Sequence, residues 1–169
     1  MSLGPERPPE REASDPELLP PSSPEELAAL EEQIDGWLRR ANASNEVMVA
    51  LDRGEPGERR WYVRLQGIEK DFTTIWLQLG QRALHAEAYM MPAPEENVGQ
   101  VYERVLRRNR QLHGLSYAIG VEDAIFLVGE LPNDSISEGH VDRLIGSVWE
   151  YVERDFRATL RLGFASHFS

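Results

Sequence analysis

The chain has 169 residues, 41% of them hydrophobic, no cysteine and a formal net charge of −11 at pH 7. That is one domain's worth of chain with enough apolar material for a core; it excludes disulfides, thiolate metal sites and cysteine nucleophiles, and its acidic field opposes general nucleic-acid binding. No apolar run approaches the roughly 20 residues that span a bilayer, and the N-terminus carries no apolar secretory core, so a cytoplasmic protein with neither nucleic-acid nor membrane partners is expected.

Residues 1–22 read as a disordered arm. Six prolines (Pro5, Pro8, Pro9, Pro16, Pro20 and Pro21) interrupt a stretch of Glu, Arg and Ser that cannot bury enough surface to offset its ordering entropy. A single domain is expected over residues 23–169. It opens on a helix, because Ser23, Pro24 and Glu26 have the spacing of a capping box with proline at the first helical position. Leu27, Leu30, Ile34, Trp37 and Leu38 then give that helix one apolar stripe. Val47 to Leu51 fits either an edge strand or an extended connection. The Gly- and Pro-containing stretch 52–58 leads as a loop to Trp61.

From Trp61 to Met91 the pattern alternates with a period of two. Trp61, Val63 and Leu65 define one strand; Thr73, Ile75, Leu77 and Leu79 a second; Leu84, Ala86, Ala88 and Met90 a third. Gly80-Gln81 is a hairpin-sized break, so the three form an antiparallel meander. Pro94 then sits where a second helix would start, with Val98, Val101, Tyr102, Val105, Leu106 and Leu112 as its buried stripe and Gly114 as its stop. Leu115, Tyr117 and Ile119, a turn over residues 120–123, and Ile125, Leu127 and Leu131 make a second hairpin. Ser135 and Glu138 have capping-box spacing ahead of a long third helix striped by Val141, Leu144, Ile145, Val148, Trp149, Val152, Phe156 and Leu160. Glu150 with Arg154 and Glu153 with Arg157 are expected as ion pairs on its wet face. The order predicted is α-β-β-β-α-β-β-α: an α+β fold in two layers, a five-stranded antiparallel sheet with its helices largely on one face.

Several runs resemble the bacterial YbjN family: residues 61–65, Glu69-Lys70-Asp71, Trp76, Gly80-Gln81-Arg82, residues 91–97, Arg107-Arg108-Asn109, Glu122-Asp123-Ala124 and residues 127–132. Arg161 to Ala165 is similar to that family's ending. The resemblance covers about Trp61 to the C-terminus and is nearest to the high-G+C branch. It implies a sensory transduction regulator with a fold like that of type III secretion chaperones, often a dimer. It implies no catalytic residues and no cofactor.

The chemistry-bearing residues are sparse. No two of the four histidines stand at i,i+4, so no zinc pair is formed. His85 and Glu87 share a strand face, either as an acid–base pair or as two solvated side chains. Arg108 and Asn109 fit an anion clamp or a complement to the helix dipole. There is no phosphate-binding glycine loop and no nucleophile elbow. The more informative pattern is the sheet face opposite Ile75, Leu77 and Leu79. It carries Tyr62, Arg64, Phe72, Trp76, His85, Glu87 and Tyr89, with Thr74, Gln66 and Gln78 between them and Phe126 and Val128 from the second hairpin. Aromatic residues mixed with Arg and amides have the composition of a binding surface, unless a loop or the first helix covers them. The sequence therefore favours a non-catalytic module that captures a protein partner on that face or in a groove beside the third helix. The alternative is a small-molecule sensor or enzyme with a pocket near His85, Glu87, Arg64 and Arg108.

Overall fold

The computed structural model describes residues 20–169, so most of the expected N-terminal arm falls outside the described residues. Ser22, the last residue of that arm, donates its N–H to Gln81 O at 2.8 Å. The capping box forms as expected: Ser23 Oγ accepts from Glu26 N–H while the Glu26 carboxylate accepts from Ser23 N–H, and α1 runs over Pro24–Ser44. Four strands follow, β1 (Met48–Arg53), β2 (Arg60–Gln66), β3 (Phe72–Leu79) and β4 (Ala83–Met91), then α2 (Val98–Asn109), β5 (Leu115–Ile119), β6 (Ile125–Pro132) and α3 (Glu138–Gly163).

The sheet has six strands in the order β1-β2-β3-β4-β6-β5, each antiparallel to its neighbours. The expected five-stranded sheet is corrected to six, and the element order to α-β-β-β-β-α-β-β-α. The added strand is the apolar run after Val47. Its register slips between Met48 and Ala50, and a bulge of this kind breaks the alternation by which a strand is recognised in sequence.

All three helices pack on one face. Trp61, Val63, Leu65, Ile75, Leu77, Leu79, Leu84, Ala86, Ala88 and Met90 form a single apolar cluster with Leu27, Ile34 and Leu38 of α1, Val101 and Val105 of α2, and Val141, Leu144, Ile145, Val148 and Val152 of α3. The first helix is also held by charge. Asp35 accepts from Trp61 Nε1 at 3.1 Å and from Arg39 Nε at 2.7 Å, and Arg53 reaches Glu31 at 2.5 Å. Burial opposes the Asp35 carboxylate, yet these donors outweigh it and hold its pKa below the ordinary value.

The second helix starts later than its proline suggests. Asn97, at φ 50°, precedes it, and Pro94 to Glu96 instead form a joint with the end of α3. Glu95 and Glu96 donate their N–H groups to Gly163 O, Asn97 Nδ2 donates to Leu162 O, and Ser166 Oγ donates to Glu96 at 2.5 Å. A Cβ at Gly163 would lie 2.9 Å from Pro94 Cβ, so the joint closes only around glycine. Likewise α3 is capped by Ser137, whose hydroxyl accepts from His140 N–H, rather than by Ser135. Val98 and Leu106, expected in the buried stripe of α2, are exposed. Trp149, expected in the main core, is only half-buried and donates from Nε1 to Gln66 O at 2.9 Å.

Leu77 is fully buried, whereas Leu106 is 65% exposed. Leu77→Ala is expected to lose about 2–5 kcal/mol by transfer and cavity terms, and Leu106→Ala less than about 0.5 kcal/mol. Urea unfolding of both variants checks the pair; equal losses would return Leu106 to the core.

Candidate functional site

The outer sheet face carries a second, smaller apolar cluster of Trp76, Ala124, Phe126 and Val128, flanked by Tyr62, Tyr89, Ala118 and Val121. No helix residue belongs to it. The register explains how it closes: Trp76 stands opposite Tyr62 on one side and Glu87 on the other, and Glu87 stands opposite Val128. Trp76 is consequently only 7% exposed, while Tyr89 meets Phe126 edge-on at 5.6 Å. Burial and the Glu122 carboxylate both push the Tyr89 hydroxyl's pKa up. Arg64 stacks its guanidinium 4.0 Å over Phe72, and both side chains are exposed. The face is thus an aromatic surface that seals its own centre and leaves Tyr62, Tyr89 and the Arg64–Phe72 stack accessible.

His85 lies directly opposite Glu130 and places Nδ1 3.2 Å from that carboxylate. Arg108 is on the other side of the sheet, with α2 against α3. The expected pocket of His85, Glu87, Arg64 and Arg108 is therefore not assembled. Among the described residues, no group of three or more His, Asp or Glu is placed to hold a metal ion, and no helix is long and apolar enough to cross a membrane.

Arg108 serves a buried polar joint. Its Nε lies 2.8 Å from Asp155 Oδ1, and Tyr117 donates its hydroxyl to Asp155 Oδ2 at 2.8 Å. Asp155 is 2% exposed, and Arg104 donates to Thr159 Oγ1 one turn along. Burial, with the adjacent carboxylate, raises the Tyr117 phenol far above its ordinary range, so Tyr117 stays a donor. This set ties α2, β5 and α3 together.

A second joint surrounds the β2–β3 loop. Glu153 accepts from the backbone N–H groups of Ile68 and Glu69 at 2.7 Å and of Lys70 at 3.3 Å. Arg157 reaches Glu69 at 2.6 Å. The expected helical ion pair of Glu153 with Arg157 is thus replaced by two contacts to one loop. Arg154, likewise, lies over the Tyr151 ring at 5.2 Å and near Asp155 instead of forming the expected pair with Glu150. A Cβ at Gly67 would stand 2.2 Å from Glu153 Oε1, so only glycine lets the carboxylate approach. Lys70, the chain's single lysine, donates from Nζ to Tyr89 O at 2.7 Å. Burial pushes its ammonium down to about 8, with Glu153 opposing.

A groove of about 540 Å³, with room for a ligand, runs between α1 and α3 over the β1–β2 end of the sheet. Trp37 and Ala41 form one wall, Ile145, Gly146 and Trp149 the other, and Val47, Met48 and Leu65 the floor. Arg40 and Glu138 bridge the walls at 3.1 Å, and Asp142 stands on the α3 rim. Nothing lies within 4 Å of the position a Gly146 Cβ would occupy. The third-helix stripe shows this groove only from one side; its other wall comes from a helix about a hundred positions away in sequence.

Residues 31–161 match the family described as "Putative bacterial sensory transduction regulator", YbjN. The chain belongs to the YbjN family. Its relatives include uncharacterised proteins of Mycobacterium tuberculosis, 38% identical over 104 residues, and of Mycobacterium leprae, 38% identical over 110. Those matches cover 62% and 65% of this chain and 57% and 60% of the relatives, so the chain spans somewhat over half their length. Among solved structures, a chain of the ExsC–ExsE complex aligns with a TM-score of 0.52 at 14% identity, over 75% of this chain and 96% of that one. The Yersinia pestis type III secretion chaperone SycH, solved with a stable fragment of YscM2, gives 0.48 at 16% identity over 73% and 96%. At such identity the first likeness is one of fold alone. The YbjN-like runs fall largely on the joints described above: residues 91–97 with Arg161 to Ala165, Glu69-Lys70 with Glu153, and Arg108 with Asp155.

Lys70 gives a pH signature. Its folded pKa of about 8 lies below the ordinary 10.5, so between those values the unfolded chain binds more protons and stability rises with pH. The cost of burying the ammonium is fully present below about pH 8. Lys70→Met is expected to gain on the wild type most at neutral pH, with that gain shrinking by of order 3 kcal/mol as pH approaches 10.5. Urea unfolding across this range checks it; a pH-independent difference would show the ammonium to be solvated.

Proposed function

We propose that the protein is a non-catalytic, cytoplasmic protein-binding module, a regulator or chaperone-like adaptor, that holds an apolar segment of a partner protein in the groove between α1 and α3. The observation that carries this reading is the groove itself: a channel with an apolar floor, flanked by Trp37 and Trp149, with an Arg40–Glu138 ion pair between its walls and Ser44, Asn45 and Asp142 also lining it. Aromatic walls around an apolar floor fit a helical or extended segment presenting large aliphatic side chains. Asp142 and the overall charge of −11 favour a segment with basic residues beside those anchors. The fold likeness to a chain found in the ExsC–ExsE complex supports a partner that is itself a protein. The polar clusters around Asp155 and Glu153 hold structural elements together.

A second reading places the partner on the outer sheet face, at Tyr62, Arg64, Phe72, Trp76, His85, Glu87 and Tyr89. The exposed Arg64–Phe72 stack favours it. Against it, Trp76, the natural anchor of such a surface, is already buried by its own sheet neighbours.

Gly146→Leu separates the two. The substitution puts a side chain into open space on a helix, where leucine is intrinsically favoured over glycine by up to about 1 kcal/mol. Stability is expected to hold or rise while partner capture from the native cell falls at least tenfold. Undiminished capture by Gly146→Leu, together with loss in Phe72→Ala, would transfer the site to the outer sheet face.

A further inference from the structure

Asn109, a candidate for an anion clamp in the sequence, instead sets its side chain against the backbone of Tyr117. It is the last residue of α2, and β5 is an edge strand, paired only with β6. Gly120 N–H donates to Ala124 O, which places residue 120 in a bonded pair with β6. Counting back in twos, Ser116 and Ala118 face β6 with their backbone groups, and Leu115, Tyr117 and Ile119 turn theirs outward. Asn109 meets the middle one of these three. Its Oδ1 accepts from Tyr117 N–H at 2.7 Å, and its Nδ2 donates to Tyr117 O at 3.2 Å. One side-chain amide thus satisfies both outward groups of a single residue, as a neighbouring strand would.

The edge it occupies is otherwise well suited to pairing with itself. Strand β5 reads Leu-Ser-Tyr-Ala-Ile, without charge, proline or bulge, and so lacks the usual protections of an edge strand. In a two-fold antiparallel arrangement centred on Tyr117, Leu115 of one copy would stand opposite Ile119 of the other, and Ser116 opposite Ala118. Ile119 is 54% exposed at the end of the strand.

We infer that Asn109 is an edge guard: its amide seals the outer edge of β5 against strand pairing with a second copy of this chain. The inference is independent of the groove, which lies at the opposite end of the sheet.

Sedimentation equilibrium and amide hydrogen exchange on the full chain test it. Asn109→Ala is expected to strengthen self-association at least tenfold over the wild type. Adding Ile119→Lys, a charge on the exposed edge, is expected to return it to the wild-type value. Asn109→Asp keeps the acceptor for Tyr117 N–H but cannot donate to Tyr117 O, and should fall between. In the wild type, the Tyr117 amide should exchange at least tenfold more slowly than those of Leu115 and Ile119. A folded Asn109→Ala that associates no more than the wild type overturns the proposal. So does a Tyr117 amide that exchanges as fast as its two outward neighbours, a readout that holds even if the alanine variant fails to fold.

Discussion

A carboxylate taken into an apolar interior must be matched by donors, and Asp155 is the point at which this chain meets that requirement. With 2% of its side chain exposed, it receives the Tyr117 hydroxyl and stands against the Arg108 guanidinium. Those two groups come from β5 and α2, while Asp155 belongs to α3, so one buried charge fixes the relation of three elements that have little else in common in sequence. Removing Arg108 would strip the buried carboxylate of its nearest cation, which is costlier than losing an exposed pair. The placement of α2 follows, and with it the delivery of Asn109 to the edge of β5. Two residues earlier on α3, Glu153 does the same for the β2–β3 loop. A helix that reads as simply amphipathic is thus pinned twice by acids on its flank.

The runs that mark the YbjN family are, in this light, mostly fastenings. Residues 91–97 and Arg161 to Ala165 lock each other around Gly163. Gly80 to Arg82 meets Asn133, whose N–H donates to Arg82 O and whose Nδ2 donates to Ser22 Oγ and Gly80 O. Such residues specify a fold closely while saying little about what the fold handles. Apart from Leu65, the groove is lined by residues outside those runs, drawn from α1, β1 with the segment before it, and the first half of α3.

Much of the architecture was legible from the chain. The meander from Trp61 to Met91, the capping box at Ser23, the second hairpin and the two faces of β3 all follow from periodicity, turn residues and caps. What escaped has identifiable physical causes. The bulge at Met48/Ala50 removed the alternation that would have made β1 plain. Pro94 has the appearance of a helix start, but the chain there is recruited by Gly163. Glu153 and Arg157 have ideal spacing for a pair along the helix, and tertiary donors in the β2–β3 loop outcompete it. The aromatic composition of the outer face was readable, but not that Trp76 would be sealed by its sheet neighbours. The groove was legible only as an apolar stripe on α3, because its opposite wall is supplied by α1.

Two ties at opposite ends of β4 set a distance. Ser22 is tied to the β3–β4 turn at Gln81, and Gly163 is tied to the segment that follows Met91, where β4 finishes. Strand β4, nine residues long, lies between these ties and separates them by roughly 30 Å at strand rise. The sheet therefore acts as a ruler. Ser22 is held beside the start of β4 and Gly163 beside its finish, with a stiff, cross-bonded strand keeping the two apart.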